Sequence, residues 1–189
     1  MFKKLLIFLC VIVGFIYPFI ISAGIKYNFL DFLLPAIAFI FAIRLLLTYK
    51  QKSQFGFFSI ISIICAVILC IVSWIFKSNN LVLYYPVFVN ILLEIVFFSS
   101  LFSEKSIVTR LALLTHKELP PYAIKYTINV TKVWCAFFLL NGAFSLFTVL
   151  HGDIELWTIY NGFISYVLIG IVGIIEYAFR IIVRKRHER

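Results

Sequence analysis

Six apolar runs divide the chain, at residues 5–25, 29–49, 55–76, 81–102, 127–150 and 156–183, with charged or polar breaks between them. Each matches the ~20 residues that a helix needs to cross a ~30 Å hydrocarbon layer. Hydrocarbon offers backbone groups no water, so a spanning segment must satisfy its own N–H and C=O groups, which a helix does. The expected fold is therefore all-α: a polytopic transmembrane helical bundle of six spans, with residues 1–189 forming a single transmembrane domain. Composition agrees. Of 189 residues, 63% are hydrophobic and 13% charged, with mean hydropathy +1.08, against about half apolar and about a quarter charged in a soluble domain.

Lys3 and Lys4 ahead of the first run resemble the start of a secretory signal. That run is longer than a usual signal core, and Ile21 in "ISAG" fits poorly where a cleavage site wants a small residue. The first span is expected to be an uncleaved anchor.

Lysine and arginine in the short loops set the orientation, because basic residues resist translocation. If the spans start inside, Lys3, Lys4, Lys50, Lys52, Lys105, Arg110, Lys117, Lys125, Arg180, Arg184, Lys185, Arg186 and Arg189 fall on one side, and Lys26 and Lys77 alone on the other. The turn at 150–156 carries His151, Asp153 and Glu155 but no lysine or arginine, and belongs outside. Both termini are expected in the cytoplasm (N-in, C-in). The formal charge of +9 then needs no nucleic acid, because a basic cytoplasmic rim attracts anionic lipid headgroups at roughly 1 kcal/mol per residue.

The longest polar stretch, the cytoplasmic segment 103–126, reads as an amphipathic loop. Ile107, Leu111 and Leu114 recur at helical spacing, with Lys105, Arg110 and Lys117 largely elsewhere, which suits a short helix lying among headgroups. Ser103 or Ser106 is placed to cap its start, and Pro120 with Pro121 to stop it. Arg110 and Lys117 are the expected lipid or partner contacts.

Cys10, Cys65, Cys70 and Cys135 lie within the runs and form no C-x-x-C pair, and His116, His151 and His187 are scattered. No metal site, cofactor or disulfide is expected. No glycine-rich phosphate loop or nucleophile elbow is present. An embedded enzyme would gather catalytic groups at one interface. Only His151, Asp153 and Glu155 approach that, and they read as a solvated turn, so no catalytic residue is assigned.

A functional site would instead be built from polar residues at membrane depth, where ionisable groups cost several kcal/mol and face a partner, water or the bundle interior. Glu94 lies near the middle of the fourth span, one turn from Asn90. Too short to reach either surface, it must be protonated, paired or next to water; Arg44, Lys132, Asn90 and Asn141 are the expected partners. Arg44 and Lys132 can also snorkel to the headgroups. Glu176 and Arg180 are four residues apart and form a plausible intrahelical pair. Asn90, Asn141 and Asn161 add amides that can bond across helices.

Several blocks carry a resemblance. "LDFLLPAIAFIFAIRLLLTYK" (30–50), "YPVFVNILLEIVFFSSLF", "ELPPYAIKYTINVTKVWCAFFLLNGAFS" and "WTIYNGFISYVLIGIVGIIEYAFR" resemble the intracellular septation protein A family. They are similar above all to membrane proteins encoded in aryl polyene and flexirubin-type lipid gene clusters. The likeness covers roughly residues 30–180 and rests on Asp31, Pro35, Pro86, Asn90, Trp134, Phe137, Phe138 and Asn141. It implies a bacterial inner-membrane protein, a non-enzymatic component of envelope or polyene-lipid biogenesis, with envelope or lipid-biosynthesis proteins and anionic headgroups as partners. The alternative is a small carrier or flippase for a lipid or lipid precursor, using Glu94 and its polar neighbours.

Overall fold

The computed structural model describes residues 16–48, 54–75, 81–115 and 118–187. Among them there are helices and turns but no strand. In order come α1 (Ile16–Lys26), α2 (Leu30–Thr48), α3 (Gln54–Ile75), a 3-10 turn (Leu81–Tyr84), α4 (Tyr85–Ser100), α5 (Ile107–Leu113), α6 (Pro121–His151), α7 (Ile154–Ile159), a π turn (Tyr160–Ile164) and α8 (Ser165–His187). Three helical stretches among the described residues are long and apolar enough to cross a membrane: Leu81–Ser100, Pro121–His151 and Ile154–His187. Lys117 and the side chain of Arg44 lie outside the described residues.

Contacts divide the chain into two units, one from Met1–Val89 with Gly142–Ile164, the other from Asn90–Asn141 with Ser165–Arg189. In the first unit, the turn that follows α1 holds Asn28, whose φ of 55° is left-handed. The amide of Asn28 bonds to the Ile25 carbonyl at 3.3 Å and that of Phe29 to the Gly24 carbonyl at 3.0 Å. This is the paired bonding of a Schellman stop, and asparagine is among the few residues that enter the left-handed region cheaply. Gly24 lets α2 close onto α1, since a Cβ there would stand 2.8 Å from Leu30 Cδ1 and Leu33 Cδ1.

The core of this unit gathers Tyr17, Ile21, Leu34, Ile37, Cys70, Val82 and Trp157. Two of its members bond to the 3-10 turn that opens the fourth expected span. Pro86 has no N–H, so the Val82 carbonyl four residues back loses its α-helical donor. The Tyr17 hydroxyl supplies one at 2.6 Å, and Trp157 Nε1 donates to the next carbonyl, Leu83, at 3.0 Å. Both aromatic residues are almost wholly buried, so the bonds form where water is absent.

In the second unit, the segment 103–126 starts its helix where expected and ends it elsewhere. Ser106 is the N-cap of α5, its Oγ accepting from the Thr109 amide at 3.4 Å. The helix stops at Leu113, well before the prolines. Pro121 does not end a helix but begins one, taking the first position of α6, where its fixed φ fits and its missing N–H would have had no helical partner.

If Tyr17 serves chiefly as donor to the carbonyl that Pro86 releases, Tyr17→Phe lowers stability by about 1–2 kcal/mol in the parent. The same change costs clearly less beside Pro86→Ala, whose restored N–H can serve Val82. A double-mutant cycle by thermal unfolding in detergent reads the coupling, and equal costs in both backgrounds would refute it.

Candidate functional site

Asn90, Glu94 and Phe97 recur at helical spacing on one row of α4, and each meets a different environment in the second unit. Asn90 is buried, and its Oδ1 accepts from Asn141 Nδ2 of α6 at 2.9 Å. The same Asn141 amide donates to Ser165 Oγ of α8 at 2.9 Å. One side chain thus ties three helices together by bonds averaging ~0.6 kcal/mol each in membranes, enough to fix register among apolar surfaces that favour no particular one.

One turn on, Glu94 takes no part in this junction. Among the described residues its Oε2 is the buried side-chain polar atom with no hydrogen-bond partner. Lys132 is exposed and makes no ion pair with it. Cys135 of α6 lies within electrostatic reach.

At the next turn Phe97 packs edge-on against Phe138 at 5.0 Å between ring centres and lies 6.5 Å from Trp134. Trp134 stacks on Phe138 at 5.6 Å, and Phe137 meets both edge-on. This aromatic wall borders a groove of about 430 Å³ lined also by Val108, Leu111, Val130, Glu176 and Arg180. A second hollow of about 370 Å³, lined by Tyr122, Tyr126, Arg180 and Arg184 among others, adjoins it at Ala112, Thr115 and Arg180. Each has the size of a small-molecule site, ~300–1,000 Å³.

Glu176 and Arg180 are paired on α8, as their spacing suggests. Arg180 Nη2 and Nε both donate to Glu176 Oε1, at 2.8 and 3.0 Å. The Tyr126 hydroxyl donates to the Glu176 carbonyl at 2.9 Å, anchoring α6 to this point of α8.

Hydroxyl groups, of which the sequence singles out Ser106 alone as a cap, hold α5 in place. Ser100 Oγ at the end of α4 accepts from the Ile107 amide at 3.0 Å. Thr131 donates to Ser106 at 3.0 Å, while Thr109 bonds Ser106 at 2.8 Å and Thr127 at 2.7 Å. Ile107, Val108 and Thr109 are therefore buried against the helices, whereas Leu111 and Leu114 are exposed. Of the two expected contact residues in this segment, Arg110 donates from Nε to the Lys105 carbonyl at 2.9 Å. The available signal was Thr127 and Thr131, four apart on one helical face.

In the first unit Asn161 sits in the π turn, its Oδ1 accepting from Ser145 at 2.7 Å and its Nδ2 donating to the Trp157 carbonyl at 3.0 Å. Asp153 caps α7, accepting from the amides of Glu155 and Leu156 at 2.8 and 3.2 Å. The acidic turn is thus a helix start.

These placements separate two intramembrane polar residues that look alike in sequence. Asn141→Leu removes both bonds of the three-helix junction and is expected to lower stability by about 1 kcal/mol. Glu94→Leu, which removes an oxygen with no partner, is expected to leave it equal or raised. Thermal unfolding of the two variants in detergent decides, and a larger loss for Glu94→Leu would contradict the assignment.

No family model matches the chain, and no curated protein or solved structure matches it.

Proposed function

We propose that the chain is a six-span protein of the bacterial inner membrane, with both termini in the cytoplasm, acting as a non-enzymatic component of envelope or polyene-lipid biogenesis. The resemblance of its span sequences to septation protein A-like proteins and to the membrane proteins of polyene-lipid clusters supports the pathway. The observation that carries a lipid-handling role is the aromatic groove bounded by Phe97, Trp134 and Phe138 and lined also by Arg180. It offers an apolar wall and a guanidinium group within one unit, the two kinds of surface an amphiphile requires. Basic residues Arg184, Lys185 and Arg186 in the last turn of α8 suit a cytoplasmic helix end, where they meet both the helix dipole and anionic headgroups.

A second reading, a carrier or flippase for a lipid or its precursor, is favoured by one feature. Glu94 Oε2 is buried without a partner one turn from the Asn90–Asn141 bond, and such a group can take up a proton or a donor from cargo.

The orientation is tested with single cysteines at exposed sites. Ser106 is buried, so Glu104 is the better inner position and Glu155 the outer one. In intact cells a membrane-impermeant maleimide is expected to label Glu155→Cys and to spare Glu104→Cys; the reverse pattern would overturn the orientation.

The role itself is tested by lipid extraction from a strain lacking the gene. Envelope or polyene-lipid composition is expected to change and to be restored by the wild-type chain, while an unchanged lipid profile would reject the biosynthetic reading.

A further inference from the structure

We propose that the paired hollows of the second unit bind one anionic phospholipid, with an acyl chain along the aromatic wall and its phosphate at Arg180 and Arg184. This rests on the lipid-handling reading above and specifies its ligand.

The two hollows are neighbours that share Ala112, Thr115 and Arg180 as lining residues. On one side the walls are aromatic and aliphatic, contributed by Phe97, Trp134 and Phe138. On the other, two arginines one turn apart on α8 stand beside the tyrosines of α6. That polarity matches a lipid, apolar at one end and charged at the other, and not a wholly polar or wholly apolar ligand.

Charge selects the headgroup. Arg180 uses two of its N–H donors on Glu176 and has five in all, so three are left for an anion. Its side chain is 55% exposed despite the ion pair, which keeps it accessible. Arg184 lines the same hollow, and Lys185 and Arg186 follow in the same turn. The carboxylates nearby are Glu176, already paired, and Glu118, which lines the hollow and is itself exposed. Guanidinium groups match phosphate oxygens in geometry as well as charge. Tyr122, which lines the hollow, stacks on His187 with ring centres 4.2 Å apart.

Native mass spectrometry of the full chain in mild detergent, with phosphatidylglycerol or phosphatidylcholine added, tests the proposal. Phosphatidylglycerol is expected to be retained about tenfold better than phosphatidylcholine, and Arg180→Gln with Arg184→Gln to weaken it about tenfold, the loss of charge-assisted bonds. Lys185→Gln with Arg186→Gln changes the net charge equally outside the hollow and is expected to leave retention intact. Arg184→Gln alone keeps the Glu176–Arg180 pair and guards against a double variant that fails to fold; it too is expected to weaken retention. Ala112→Trp fills the junction and is expected to abolish binding with the melting temperature preserved.

Equal retention of the two lipids, equal losses in the two double variants, undiminished binding in Arg184→Gln, or binding by a folded Ala112→Trp chain would each overturn it. Failure of the biosynthetic role is recognised separately: a deletion strain with unaltered lipids, alongside specific phosphatidylglycerol binding, rejects that role and supports the site.

Discussion

The Val82 carbonyl, deprived of its α-helical donor by Pro86, sets the terms for the first unit. In an apolar interior an unpaired carbonyl costs several kcal/mol, and Pro86, in the first turn of α4, has no N–H to offer this one. Tyr17 brings a donor from α1 and Trp157 adds a second bond at Leu83 from α7. Segments far apart in sequence are thereby fixed on one short 3-10 turn, and the surrounding Ile21, Leu34, Cys70 and Val82 pack about it. The second unit obeys the same constraint with different groups, an amide at Asn141 and hydroxyls around Thr109.

Much of this organisation follows from patterns visible in the chain. Apolar runs of spanning length announce helices, and among the described residues three helical stretches have the length and character to cross a membrane. The four-residue spacing of Glu176 and Arg180 places their charges one turn apart, and they are found bonded. Asn90 and Asn141 are amides inside apolar runs, where a partner on another helix is the cheapest outcome, and they meet.

Other features depend on tertiary neighbours and leave little local trace. Pro121 after Pro120 reads equally as the end of one helix or the beginning of the next, and the structure uses it as a beginning. Ile107 and Leu111 share an apolar helical stripe, yet one is buried and the other exposed, because hydroxyl bonds and not the stripe alone seat α5. The groove is still less legible. Phe97 and Trp134 are ordinary members of apolar runs, and only their approach across two helices makes a wall. Glu94 invited a cationic partner by its position, but a carboxylate's neighbours are chosen by helix rotation, which a sequence period gives only coarsely.

The hydroxyls around α5 have a direction as well as a pattern. Thr127 gives its single proton to the Ile124 carbonyl at 2.8 Å. With that proton so placed, Thr109 donates to Thr127 and Ser106 to Thr109, and Ser106 accepts from the Thr109 amide and from Thr131. Thr131 has a second acceptor as well, the Thr127 carbonyl at 2.8 Å. The row is therefore a polarised file of dipoles, oriented by one backbone carbonyl at its end, in which each bond strengthens the next. Losing a hydroxyl in the middle would free its neighbours to turn, so the file behaves as one cooperative latch and not as separate bonds that can be subtracted one by one.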